Sequence, residues 1–272
     1  VRTMNLSVEP VDSNSTQRVL LWRGRHPGHG HNNPNDENWY ERALQRRGIA
    51  VTRVDNESEF REELASGAHN MLLLVSPAGG FGPPLRMHAD TIMRIRGSVA
   101  RGYGLVWINT MPNLTEAWHD LIGARTASVL KAADKVRYRM GEDEVRTSDY
   151  PGTTSGVHML GGTAEGEVKP DCDAGFVMWL KCRFGISEYP AAVVNDYGRG
   201  RVKTLTFAPA KLVDESVADA VLEDAVSDVS PSELKPVQDV AALNGLVVTR
   251  DFAGRPLSVR VQVPEHVQLL PD

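Results

Sequence analysis

Three histidines, His26, His29 and His31, fall in the short run HPGHGH. Imidazoles so closely spaced can converge on Zn, Ni or Cu, and Asp36 and Glu37 nearby offer oxygen ligands. A metal held there would acidify a bound water and make it a nucleophile, the chemistry of a metal-dependent hydrolase. The spacing matches no helical or knuckle zinc pattern, and the glycines between the histidines equally suit a solvated polar loop. A divalent metal at this loop is the one cofactor the sequence offers. A second group surrounds Ser76 in SPAGGFGPP, where Gly79, Gly80 and Gly82 would let backbone N–H groups approach an anion at a helix start. The run lacks the Lys-Ser/Thr end of a P-loop, and no GxGxxG follows the first apolar run. A third group is Asn109 and Thr110, at a strand-to-helix turn where a ligand would meet a helix N-terminus. Threonine is a nucleophile only beside a base that takes its proton, and both residues also serve as turn caps. Ser76, Asn109 and Thr110 are therefore ligand-binding candidates, and no residue is assigned a catalytic role. Trp22, Trp39 and Trp107 could line a sugar site, although core packing suits at least two of them. His88 reads as a helix-surface residue and His119, beside Trp118, as partly packed. Asp171 and Asp173 flank Cys172 with no further ligand in view.

These groups need elements to position them. RVLLW, IAVTRV, MLLLV and GLVWI are short apolar runs expected to be strands, the third apolar throughout as a strand covered on both faces should be. Between them lie amphipathic stretches. Tyr40, Ala43 and Leu44 share a face, with Asn35 or Asp36 as cap and Gly48 as stop. Ser58 opens a short helix carrying Phe60 and Leu64. Leu85, Ala89, Ile92 and Val99 recur at helical spacing, and TEAWHDLIG follows the fourth strand. Alternating strands and helices with short connections predict an α/β domain built on a parallel sheet. From about residue 126 to 182 charged and Gly-rich stretches alternate with apolar pieces such as FVMWLKC, which reads as a β-rich insertion. The parallel pattern is expected to resume in PAAVVNDYGRGRVKTLTF, and ESVADAVLEDAV closes the domain with Val217, Val221 and Ala225 on one side. The expected organisation is a tail over 1–17, the α/β domain over 18–228, and a linker with a β-strand appendage over 229–272.

The order of these elements, with RGYGLVWINT and PAAVVNDYGRGRVKTLTF, resembles the class I glutamine amidotransferase-like superfamily over residues 18 to 226. The resemblance implies a flavodoxin-like three-layer sandwich. In catalytic members a Cys elbow follows the fourth strand, and the triad His and Glu sit in a phrase like QFHPE. This chain has NTMPN at the first place and TFAPA at the second, so Asn109 or Thr110 replaces Cys, Ala208 replaces His and Ala210 replaces Glu. Alanine can neither exchange a proton nor orient a neighbour. The chain is thus more similar to the non-catalytic kind, such as the trimerisation domains of some β-galactosidases and ThuA-like proteins. That resemblance implies a module for assembly or ligand binding beside other domains of a larger polypeptide, with a homo-oligomer among its partners. The alternatives are the metal-dependent hydrolase above and a carbohydrate-processing protein.

Composition bounds the remaining classes. The chain has 272 residues, a net charge of -5 and no strongly basic block, which disfavours nucleic acid as a partner. No apolar run reaches the length of roughly 20 residues that spans a bilayer. The first residue is Val1, and the sequence reads as a segment of a longer polypeptide, with adjacent β-modules that lean towards an extracytoplasmic setting. Cys172 and Cys182 either form one disulfide or remain two buried thiols.

Overall fold

The computed structural model describes residues 5–8, 17–23, 34–75, 87–108, 116–130, 133–141, 144–152, 154–173, 175–184, 189–231 and 257–260. The first strand-helix units run β1 (Asn5–Val8), β2 (Arg18–Arg23), α1 (Pro34–Arg46), β3 (Ala50–Val54), α2 (Glu57–Ser66), β4 (Met71–Val75), α3 (Ala89–Ala100), β5 (Gly104–Ile108) and α4 (Glu116–Ile122). The insertion follows with β6 (Ala124–Leu130), β7 (Ala133–Met140), β8 (Glu144–Asp149), β9 (Thr154–Met159), β10 (Thr163–Glu165), β11 (Glu167–Pro170) and α5 (Phe176–Phe184). The chain then returns through β12 (Ala192–Tyr197), β13 (Gly200–Leu205), α6 (Glu215–Val229) and β14 (Leu257–Arg260).

A seven-stranded sheet in the order β10-β12-β13-β5-β4-β2-β3 organises the molecule. From β13 to β3 all neighbours are parallel. Side chains alternate across this sheet because successive residues of a strand point to opposite faces. Val19, Leu21, Leu73 and Val106 face a cluster closed by α1, α6 and the insertion. Leu20, Trp22, Leu72 and Trp107 face a second cluster closed by α2, α3 and α4. This is the expected α/β architecture, a mixed sheet between two covering layers, compatible with a flavodoxin-like sandwich. Trp22 and Trp107 are buried core residues, the latter packed edge-on against Trp118 with ring centroids 4.6 Å apart. His88 is exposed at the start of α3, and His119 is half-buried on α4.

The structure corrects some of these expectations and adds detail to others. β12 and β13 form an antiparallel hairpin, with Tyr197 opposite Gly200, so the parallel pattern resumes only at β13. The signal was the tight turn at Gly198, whose φ of 63° suits a two-residue hairpin loop. FVMWLKC is helix, and its side chains Phe176, Val177 and Trp179 are exposed. Within the insertion, β11-β7-β8 and β6-β9 form separate small sheets, while β10 joins the main one. Asn56, with its side chain accepting the Glu59 N–H at 2.9 Å, caps α2, and Ser58 lies within its first turn. α1 begins at Pro34, which puts Asn35 and Asp36 inside the helix. Ala89 is exposed, and Ile95 takes its place in the buried stripe of α3. Cys172 and Cys182 are bridged, joining the stretch before α5 to the helix itself. The 1–17 tail contains β1, which pairs antiparallel with β14 of the C-terminal appendage. Of the two strands expected there, the first, ALNGLVVTRD, lies outside the described residues.

Gly104 starts β5 directly beneath the last turn of α6. A Cβ there would lie 2.1 Å from the Val229 carbonyl oxygen, so helix and strand approach backbone to backbone. Gly104→Ala is expected to lower stability by about 2 kcal/mol or more, since neither backbone can yield cheaply. A urea titration checks this, and an unchanged midpoint would show that the packing is looser than this contact implies.

Candidate functional site

In the parallel sheet the strand ends are in register. Arg23 is paired with Val75, Val75 with Ile108, and Ile108 with Leu205, so β2, β4, β5 and β13 finish in one row. The order β3-β2-β4-β5 reverses direction between β2 and β4, and at such a switch point an open α/β sheet takes its ligands, outside the carboxyl ends of the strands. The segments leaving this row carry every predicted site residue. His26, His29 and His31 follow β2, Ser76 follows β4, and Asn109 and Thr110 follow β5. All six residues lie outside the described residues. Among the described residues no group of three His, Cys, Asp or Glu side chains is arranged to hold a metal ion.

The fourth member of the row is described. Beyond β13 the chain runs through Thr206, Phe207 and Ala208 into a 3-10 turn, Pro209–Lys211. Ala208 is buried, Ala210 is half-buried against the α1–α6 cluster, and neither position offers an ionisable group. The insertion packs over this step. The Tyr150 hydroxyl accepts the Ala208 N–H at 3.1 Å, and its ring meets Phe207 edge-on at 5.7 Å. The Thr154 hydroxyl donates to the Thr206 carbonyl at 2.9 Å, and the Thr206 hydroxyl donates to the Pro190 carbonyl at 2.5 Å. Backbone groups of the step are thus satisfied from the insertion, as buried groups must be. Burial pushes the Tyr150 phenol up to about 12, against the opposing effect of the Ala208 N–H.

Sequence reasoning missed a second constellation. Lys203 sits in the middle of β13, almost fully buried, with Nζ 2.9 Å from Asp224, 3.0 Å from Glu165 and 3.2 Å from Asp228. The Tyr138 hydroxyl donates to Asp224 at 2.7 Å, and Arg201 pairs with Asp228 at 3.1 Å. Burial alone would lower the Lys203 ammonium, but the carboxylates, Asp224 first, reverse this and hold it above its ordinary value. Burial, and then the Asp224 charge, push the Tyr138 phenol well above its ordinary value. The signal was Lys203 at the centre of the strand GRVKTL, on the side of Arg201 and Leu205, with Asp224 and Asp228 one helical turn apart on α6. The group is an ion-pair cluster in which three carboxylates close on one ammonium. It ties β10, β13, α6 and the insertion together.

No protein-family model and no curated protein sequence matches the chain. Among solved structures, a β-galactosidase from Bacillus circulans sp. alkalophilus matches with a TM-score of 0.54 at 12% identity, over 92% of this chain and 34% of its own. A β-galactosidase from Rahnella sp. R3 matches with a TM-score of 0.55 at 13% identity, over 86% of this chain and 34% of its own. A ThuA-like protein from Bacteroides uniformis ATCC 8492 matches with a TM-score of 0.53 at 9% identity, over 84% of this chain and 97% of its own. The chain shares their fold. It spans about a third of the length of the β-galactosidases it matches, and nearly the whole of the ThuA-like protein. The resemblance drawn from the order of elements therefore holds for the fold, with both kinds of expected neighbour present.

Tyr138, Tyr150 and Lys203 all bind their protons more tightly folded than unfolded. The unfolded state then holds fewer protons above about pH 10, and stability falls as pH rises through the folded values. For Tyr150 the loss accrues between about pH 10 and 12 and amounts to about 2–3 kcal/mol, at 1.36 kcal/mol per unit. Tyr150→Phe should lower stability at pH 7 by about 1–2 kcal/mol, because the buried Ala208 N–H loses its acceptor, and should flatten the alkaline limb. Denaturant midpoints measured from pH 7 to 11 test both effects, and an identical alkaline limb in the variant would refute the assignment.

Proposed function

We propose that this chain is a non-catalytic amidotransferase-like module that serves assembly or ligand binding within a larger multidomain protein. The observation that carries this reading is the step after β13. There Ala208 and Ala210 occupy the two positions at which the resemblance places a catalytic His and Glu, and Tyr150 of the insertion satisfies the Ala208 backbone. An acyl-transfer site needs a base within hydrogen-bond reach of its nucleophile, and this step supplies none. The share of the β-galactosidases that the chain spans supports a role beside other domains. A ligand-binding role is supported by the aligned strand ends, since Ser76, Asn109 and Thr110 follow strands of that row in the sequence.

A second reading keeps the His26, His29 and His31 loop as a divalent-metal site for hydrolysis or carbohydrate processing. It is favoured by the departure of that loop from β2, beside the reversal in strand order. The β-galactosidase neighbours are the ground for the carbohydrate version.

Untagged protein separates the readings. The module reading expects ammonia release from glutamine at the rate of buffer alone, and metal well below one equivalent by elemental analysis. Stoichiometric metal that disappears in His29→Ala would move the assignment to the hydrolase, and measurable glutamine turnover would overturn the non-catalytic reading.

A further inference from the structure

The outer face of the insertion sheet carries a row of cations. Lys135, Arg137 and Arg139 alternate along β7 on the face opposite the buried Val136 and Tyr138. Lys169 of β11 lies directly across from Lys135. Two acids share the face. Asp149 approaches Lys135 at 3.8 Å and Glu167 approaches Arg137 at 3.9 Å, both as exposed pairs. Such pairs contribute little, and a ligand carboxylate can displace them. Arg139 lies across from Val145 and, like Lys169, has no ion-pair partner among the described residues. The face therefore presents net positive charge on a chain whose own net charge is -5.

Beside the row runs a groove of about 320 Å³, lined by Arg137, Arg139, Val145, Ala164, Gly166 and Glu167. Gly166, with a φ of 64°, turns the chain from β10 into β11. A Cβ at this position would lie 2.5 Å from the Arg137 carbonyl oxygen, so no side chain fills that corner. Val145, 47% exposed, and Ala164 give the groove an apolar wall among its charges.

We infer that this groove and its cation row bind an extended acidic segment of a partner protein, with carboxylates at alternate residues. Side chains on one face of an extended strand recur every two residues, about 6.6 Å apart. The cations of β7 have that repeat because β7 is itself a strand, so a second extended chain laid along it meets them in step. Guanidinium forks take carboxylates two oxygens at a time, which favours Arg137 and Arg139 as the anchors. A lone phosphate engages one fork and gains nothing from the row. The inference stands on the insertion sheet alone and is independent of any chemistry at the carboxyl ends of the parallel strands.

The test is fluorescence anisotropy of the full chain with a labelled peptide of alternating glutamate and serine, and with an isomer of equal composition whose glutamates are in one block. The alternating peptide should bind saturably and more tightly than the block isomer, and should weaken as salt is raised. Arg137→Ser with Arg139→Ser should weaken binding about tenfold, while Arg94→Ser, exposed on α3, should leave it unchanged. Thermal unfolding of the double variant establishes that it is folded. Equal affinity for both isomers, or an unaffected double variant, would overturn the inference. So would displacement of the peptide by polygalacturonate at a lower concentration of charge, which would mark the groove as a polysaccharide site.

Discussion

The ammonium of Lys203 is the constraint on which the layers of this molecule converge. A buried cation without partners would be untenable, so the strand that carries it can fold only where three carboxylates arrive together. Asp224 and Asp228 come from α6, which fixes the rotation of that helix over β13. Glu165 comes from β10, which fixes the edge of the main sheet. Tyr138 comes from β7 through Asp224 and brings the insertion sheet into the same contact. The network is specific rather than strongly stabilising, since apolar residues of the same volume would fill the space without any desolvation penalty. Its effect is to make the insertion part of the domain core rather than a loosely attached flap.

That placement determines what the sheet end can do. Because the insertion is anchored at Lys203, Tyr150 lies against Phe207 and reaches the Ala208 backbone. The space at the end of β13 is taken by a neutral phenol and two small side chains. A pair of residues able to pass a proton would need room, solvent or a partner there. The two alanines at this step and the packing of the insertion over it are two aspects of one arrangement.

Much of the scaffold was legible in the sequence because buried parallel strands are short and apolar and the helices between them are amphipathic. Met71–Val75 and Gly104–Ile108 read as strands for that reason, and Val217, Val221 and Ala225 read as one buried face. That the step after β13 carries only small apolar side chains, Ala208 and Ala210, was legible in TFAPA. Long-range pairing was not. Nothing local distinguishes β10, which joins the main sheet, from β11, which leaves it after Gly166. FVMWLKC is apolar without a clear period, and a tether to Cys172 rather than core packing accompanies its helix. The role of Lys203 depended on partners from strands and helices far apart in sequence, which spacing cannot report. The candidate ligand residues were identifiable only as loops that follow strands, and the described geometry extends to the strand ends from which they depart.

The register at those strand ends has a consequence for how such a chain can diverge. Arg23, Val75, Ile108 and Leu205 are each locked by pairing before the chain leaves the sheet. A connection that starts after a locked residue can lengthen, shorten or change its chemistry without sliding any strand past its neighbour. Replacement at the rim is thereby uncoupled from the scaffold, while the scaffold itself accepts any apolar residues that fill its two cores. A scaffold built this way can keep its outline under very different sequences, as a TM-score of 0.54 at 12% identity illustrates.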